Sequence, residues 1–148
     1  MPVETYASGS GTWTAPAGCV SPVDVACWAG GGSPPDTAGS NGGGGGAYSI
    51  KSVAVTPSTG YAYSVGAPGS TGNGGGDSTF ATTVCVAKGG TDYRTGGASS
   101  GGTGDTKYSG GTGGAGNAIS NGGGGGGSAG TAANGNNGSN QDIGGGGA

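Results

Sequence analysis

Histidine is absent from this chain of 148 residues, and charged residues make up only 7% of it. Without imidazole there is no Ser–His or Cys–His nucleophile and no histidine-ligated metal. The basic residues are Lys51, Lys88, Arg94 and Lys107. They are too few and too scattered for the phosphate-neutralising patch that a nucleic-acid partner requires. Long hydrophobic runs are missing too. No stretch approaches the roughly 18 apolar residues of a membrane span, so membrane insertion is not expected. The opening Met1-Pro2-Val3-Glu4 has neither the basic nor the apolar region of a signal peptide, which points to synthesis in a cytoplasm. Cys19, Cys27 and Cys85 are odd in number and lack C-x-x-C spacing. That favours free thiols buried on strands over a disulfide.

Glycine is what the chain has instead: 44 residues of it, against 30% hydrophobic residues concentrated in the first ninety positions. Gly loses more backbone freedom on folding than any other residue and buries no side chain. A chain of this kind either stays disordered or packs backbone against backbone, where the missing Cβ is an advantage.

The first part reads as short strands between turn clusters. Glu4–Tyr6 and Thr12–Thr14 flank Ala7-Ser8-Gly9-Ser10-Gly11 as a hairpin. Val23–Trp28 alternates, with Val23, Val25 and Cys27 on one face and Asp24, Ala26 and Trp28 on the other. A Gly/Pro/Ser loop over 30–46 carries Pro34-Pro35, which cannot be strand interior. Strands are expected again over Ala47–Val55, Tyr61–Val65, Ser78–Phe80 and Val84–Lys88. About seven strands with frequent turns predict an all-β chain with no helix, built as a small antiparallel β-sandwich over residues 1–88.

From Gly89 onward neither helical nor alternating periodicity survives, but a period of three does. Gly101, Gly104, Gly110, Gly113, Gly116, Gly122 and Gly125 share one frame, interrupted by Lys107 and Ile119; Gly135, Gly138, Gly144 and Gly147 share another, interrupted by Gln141. Three residues per turn is the polyproline-II repeat, with about 3.1 Å rise and no internal hydrogen bonds. Such strands can bundle where Gly recurs at the buried positions, neighbours satisfying each other's N–H and C=O groups. Residues 89–148 are therefore expected as a polyglycine-II-like bundle, continuous with the sandwich as one folding unit, the interruptions forming bends at its ends.

Motifs with chemical meaning weigh little. Gly111-Thr112-Gly113-Gly114-Ala115-Gly116 matches G-x-G-x-x-G, but roughly four chance matches are expected in such a chain, and no helix follows. Gly72–Asp77 is one copy of a Gly/Asp calcium nonapeptide that works only in tandem, so a turn is the better reading and no metal is expected. Asn137-Gly138-Ser139 fits a glycosylation sequon without a secretion signal to use it. Asp36, Asp77, Asp92, Asp105 and Asp142 lie in loop-like segments, where Asp makes local turn hydrogen bonds. No catalytic residues and no cofactor are expected, and the chain reads as a non-enzyme.

Gly11-Thr12-Trp13-Thr14-Ala15-Pro16-Ala17-Gly18, then Val23–Trp28 and Gly30-Gly31-Gly32, resemble the glycine-rich domain of bacteriophage tail fibres and adhesins. Gly42–Tyr48, Val53–Pro57, Tyr63–Gly66, Gly76–Phe80 and Ala87–Gly90 follow in the order of that family. The turn lengthened by Ser58 and Thr59, and Cys19 and Pro22 before the Val23 strand, depart from it. The resemblance implies a virion structural protein made in the host cytoplasm and exposed on the particle, as a tail-fibre or tail-tip adhesin for host attachment or as a capsid decoration. Its partners would be other virion proteins and a host cell-surface receptor, with a homotrimer implied by fibre proteins alone. Tyr93, Arg94, Lys107 and Tyr108 are the contact residues such an adhesin would use, Tyr and Arg being favoured at contact hot spots; their competing role is to cap the bundle ends. Two other readings stay open: an ice-binding polyglycine-II protein with flat Ser/Thr/Ala faces, and a disordered glycine-rich matrix protein.

Overall fold

The computed structural model describes residues 3–92, 94–117 and 121–141. It is all-β: β1 (Ser10–Thr14), β2 (Val23–Trp28), β3 (Tyr48–Val53), β4 (Gly60–Ser64), β5 (Ser78–Phe80), β6 (Cys85–Ala87) and β7 (Thr106–Tyr108). A single 3-10 turn at Ser99–Gly101 is the only helical geometry among the described residues. Two antiparallel sheets form, one in the order β1-β4-β5-β6 and the other β2-β3-β7. Strands β5 and β6 lie over β2 and β3. Between them Val23, Cys27, Val53, Val55, Phe80, Cys85 and Ala87 make a common buried core with Ala15. The alternation of β2 sets its orientation: Val23 and Cys27 are buried while Asp24, Ala26 and Trp28 are exposed.

Three expectations need correction. Glu4–Tyr6 is not a strand, and no hairpin joins it to β1; β1 pairs with β4 instead, Trp13 opposite Tyr61. Tyr6 makes a tertiary contact, its ring 4.2 Å from that of Tyr63, and its hydroxyl donates to Glu4 at 2.9 Å. An aromatic surface from β4 draws this arm in, and a local turn does not. Secondly, β7 lies where no alternation was visible. Three residues suffice because β3 offers a ready edge and Tyr108 stacks on Tyr48. Thirdly, Lys107 therefore sits inside a strand and not at a bend.

The glycine segments bond by threes. Gly42 and Gly45 donate to the carbonyls of Gly114 and Gly111, both at 2.9 Å. Gly43 and Gly46 accept from Gly126 (2.8 Å) and Ala129 (2.9 Å), and Gly44 and Ala47 accept from Gly32 (2.8 Å) and Ala29 (3.0 Å). Successive residues of 42–47 thus face three different neighbours, and each neighbour is met again three residues later. A Cβ on Gly42, Gly45 or Gly46 would lie 2.0 Å from the carbonyl oxygen of Gly124, Gly127 or Ala29. Side chains are excluded by backbone, so the sequence has none there.

The period of three holds, but one frame does not run through. Gly110 and Gly113 are packed against the carbonyls of Gly45 and Gly42, whereas Gly125, in the same sequence frame, is exposed and meets nothing closer than 3.9 Å. Three residues of regular repeat fix which neighbours are shared, whereas a bend resets the phase. Ile119, Gly144 and Gly147 lie outside the described residues.

A second ladder was not legible. The side-chain oxygens of Asn134, Asn137 and Asn140 accept from the backbone N–H of Ser109 (2.8 Å), Thr112 (3.0 Å) and Ala115 (2.7 Å). Gly135, Gly138 and Gln141 then donate to the carbonyls of those same three residues. Gln141, which breaks the glycine frame in sequence, continues it in bonding. We expect Asn137→Ala to destabilise by about 1 kcal/mol, the usual cost of losing one such cap, and Asn137→Asp by less. Chemical denaturation checks this; an unchanged midpoint would show that water replaces the amide.

Candidate surface site

Register places three aromatic residues in one row across the smaller sheet. Trp28 pairs with Tyr48, and Tyr48 with Tyr108. The Trp28 and Tyr48 rings are 4.9 Å apart, and those of Tyr48 and Tyr108 are stacked at 6.3 Å. Tyr48 is sandwiched and only 3% exposed, whereas Trp28 at the sheet edge is 49% exposed. Burial pushes the Tyr48 hydroxyl above its ordinary pKa, so it stays neutral. Such a row offers apolar ring surface with polar tips, a combination suited to recognition.

Trp28 also borders a cleft of about 740 Å³, lined by residues of both sheets and of the N-terminal arm. Trp13 and Tyr63 line it from the larger sheet, Val25 and Cys27 from β2, and Tyr6 from the N-terminal arm. Glu4 and Asp24 are the charged residues of its wall.

Tyr93 lies outside the described residues. Arg94 donates from Nε to the Gly113 carbonyl at 3.4 Å. Lys107 donates from Nζ to the Gly102 carbonyl at 3.0 Å, from the face of β7 opposite Tyr108. Of the sequence-selected residues that are described, only Tyr108 joins the aromatic row. Trp28 and Tyr48 were missed as site residues. The outward side of Trp28 was readable from the alternation of β2, but its pairing with Tyr48 depends on a register that no local pattern states.

The weaker motifs have structural roles. In the G-x-G-x-x-G stretch, the N–H groups of Gly111, Gly113 and Gly114 donate to the carbonyls of Gly127, Arg94 and Gly124, so they are committed to backbone and not to a phosphate. Asp77 forms an ion pair with Lys88 and accepts from the Gly89 N–H at 2.9 Å. Asp92 caps the turn before Thr95, accepting from the N–H groups of Thr95 and Arg94, while Asp105 accepts from the Ser52 N–H and the Lys51 ammonium.

These bonds hold the carboxyls of Asp92 and Asp105 below the ordinary value of 3.8, the Thr95 N–H leading for Asp92 and the Ser52 N–H for Asp105. A carboxyl with a lowered folded-state pKa contributes stability that is fully present above the unfolded value and is lost as pH falls through the folded one. The wild type should therefore lose stability below about pH 3.8, and Asp105→Asn should flatten that loss. Denaturation midpoints across the acid range read it out. Parallel curves for the two proteins would sink the assignment.

Compared with known proteins, the chain matches no characterised protein and no solved structure. The family model described as "Glycine-rich domain" matches residues 5–148, nearly the whole length. With both sheets and the glycine array inside that span, the chain belongs to the glycine-rich domain family.

Proposed function

We propose that this chain is a non-enzymatic structural protein of a bacteriophage particle, exposed on its surface as a tail-fibre tip adhesin. In this reading the two sheets are a small β-sandwich and the glycine segments a polyglycine-II-type bundle. The three-residue bonding cycle of 42–47 supports the second assignment, since each residue turns the chain by a third. The observation that carries the function is the row Trp28–Tyr48–Tyr108, aromatic surface held on a sheet whose opposite face is core. A scaffold with few charges and backbone-to-backbone packing is suited to presenting such a surface rigidly. The receptor would meet Trp28 first, the more exposed end of the row.

Two measurements test this. Mass spectrometry of purified particles should find the chain, and the isolated protein should bind the host cell surface. Trp28→Ala and Tyr108→Ala should each weaken that binding by roughly 30-fold, the scale of an aromatic hot spot. Circular dichroism of both variants should match the wild type. Absence from particles overturns the virion reading. Presence on the head with no cell binding would replace the adhesin by a capsid decoration.

A further inference from the structure

The smaller sheet ends on an open edge at β2. In β3 the Ile50 carbonyl accepts from the Asp105 N–H at 2.8 Å, and the Ser52 N–H donates to the Asp105 carboxylate at 2.9 Å. The alternate residues Ser49, Lys51 and Val53 therefore turn their backbone groups toward β2, opposite Cys27, Val25 and Val23. The N–H and C=O groups of Asp24, Ala26 and Trp28 point the other way, where no described strand follows β2. At the Trp28 end that side is partly used: the Trp28 carbonyl accepts from Ser78 Oγ at 2.6 Å, and the Gly30 N–H donates to Gly76 at 3.0 Å. Asp24 and Ala26 are exposed, and no described residue bonds to their outward N–H and C=O groups. All six residues of β2 line the 740 Å³ cleft, which sets this edge along its wall. Trp13, Tyr63 and Phe80 line it from the larger sheet, and residues 3–7 from the arm.

We propose that this cleft is a docking groove for an extended, basic peptide segment of a partner protein, which adds to β2 as a fourth strand of the smaller sheet. The inference does not rest on the virion reading. Backbone chemistry names the kind of occupant. An unpaired strand edge is a template for another chain, and an extended backbone matches donors and acceptors that recur at every second residue. Six residues of β2 span about 20 Å, room for a strand of the same length. Alternation then divides the side chains of the added strand. Those on the core side of β2 would meet Trp13, Tyr63 and Phe80, and should be apolar. Those on the outer side would lie beside Asp24 and Ala26. The charges of the wall, Glu4 and Asp24, are both negative, so Lys or Arg fits there. The same charges oppose a second copy inserting its own arm, which would bring another Glu4 against Asp24.

The probe is a fluorescein-labelled hexapeptide alternating Val and Lys, titrated against the full-length protein by fluorescence anisotropy. It should bind about tenfold or more tightly than the Val/Glu analogue. Methylating the backbone nitrogens of one alternate set should weaken binding by about tenfold or more, because those N–H groups face β2. Methylating the other set should change little. Hydrogen exchange read by NMR locates the peptide: the Asp24 and Ala26 amides should exchange fast in the free protein and slow by about tenfold or more when it is added. The Val25 amide, bonded to β3, should be protected throughout. Ala26→Pro removes an outward N–H, a change an edge strand tolerates, and should weaken binding by about tenfold or more with an unchanged circular dichroism spectrum. Should that variant misfold, the two methylated peptides decide the matter on the wild type. No binding of the Val/Lys peptide, equal binding of the two methylated forms, or binding without slowed exchange at Asp24 and Ala26 overturns the proposal. Protection of those amides that rises with protein concentration alone, with a dimer mass, would replace the peptide by a second copy.

Discussion

Gly45→Ala should abolish cooperative folding of the glycine-rich half, while Gly125→Ala in the same lattice should leave it intact. At Gly45 the new methyl would sit 2.0 Å from the Gly127 carbonyl oxygen and 2.5 Å from its carbon. Backbone on the far side is held by bonds of its own, Gly127 donating to Asn136 and accepting from Gly111, so it cannot yield locally. Separating the segments by the needed ångström breaks several hydrogen bonds, which puts the cost above about 4 kcal/mol. At Gly125 the nearest atom is 3.9 Å away, and the position is exposed. Alanine there reduces the freedom of the unfolded chain and should be neutral or stabilising by up to about 1 kcal/mol. Thermal melts and thermolysin digestion of the two variants measure the contrast. Equal effects at both sites would refute backbone packing as the reason for glycine.

Phe80→Ala should cost about 3–5 kcal/mol, the range for emptying a buried aromatic site. Phe80 is 7% exposed, stacks on Tyr61 at 5.7 Å and lies 5.9 Å from Trp13. It joins β5 to β1 and β4 within one sheet while its core neighbours Val23 and Cys27 belong to the other. Truncation leaves a void that three short strands cannot close by shifting. At this chain length the melting temperature should fall by roughly 10 °C. Phe80→Leu, which keeps most of the volume, should lose less than half as much. A drop under about 1 kcal/mol for Phe80→Ala would mean that the open cleft beside it lets the site collapse or hydrate.

These two sites divide what was readable from what was not. Alternation in Val23–Trp28 predicted its strand and the division of its two faces, and Ser78–Phe80 was placed to the residue. The Pro57-Ser58 region was correctly a turn, with Ser58 at φ 60 and its N–H bonded to the Ala15 carbonyl. Local rules suffice there because side-chain alternation and turn chemistry act over a few residues. Pairing does not work that way. Glu4–Tyr6 makes no strand, whereas Thr106–Tyr108, also one Thr, one Tyr and one charged residue, forms β7. A distant partner decided each case, Tyr63 for the arm and Tyr48 for the strand.

By itself the sequence determined that this protein is all-β, that its apolar core is small and lies early, and that its glycines recur by threes. Those follow from residue size and spacing, which any fold must respect. Only the tertiary structure decided which glycine frame is buried, since that depends on the phase at each bend. The aromatic row was decided the same way: Trp28, Tyr48 and Tyr108 are far apart in the chain and become one surface through register alone. So was the use of Asn134, Asn137 and Asn140, whose amides look like ordinary loop residues until 109–115 runs beside them and supplies the N–H groups.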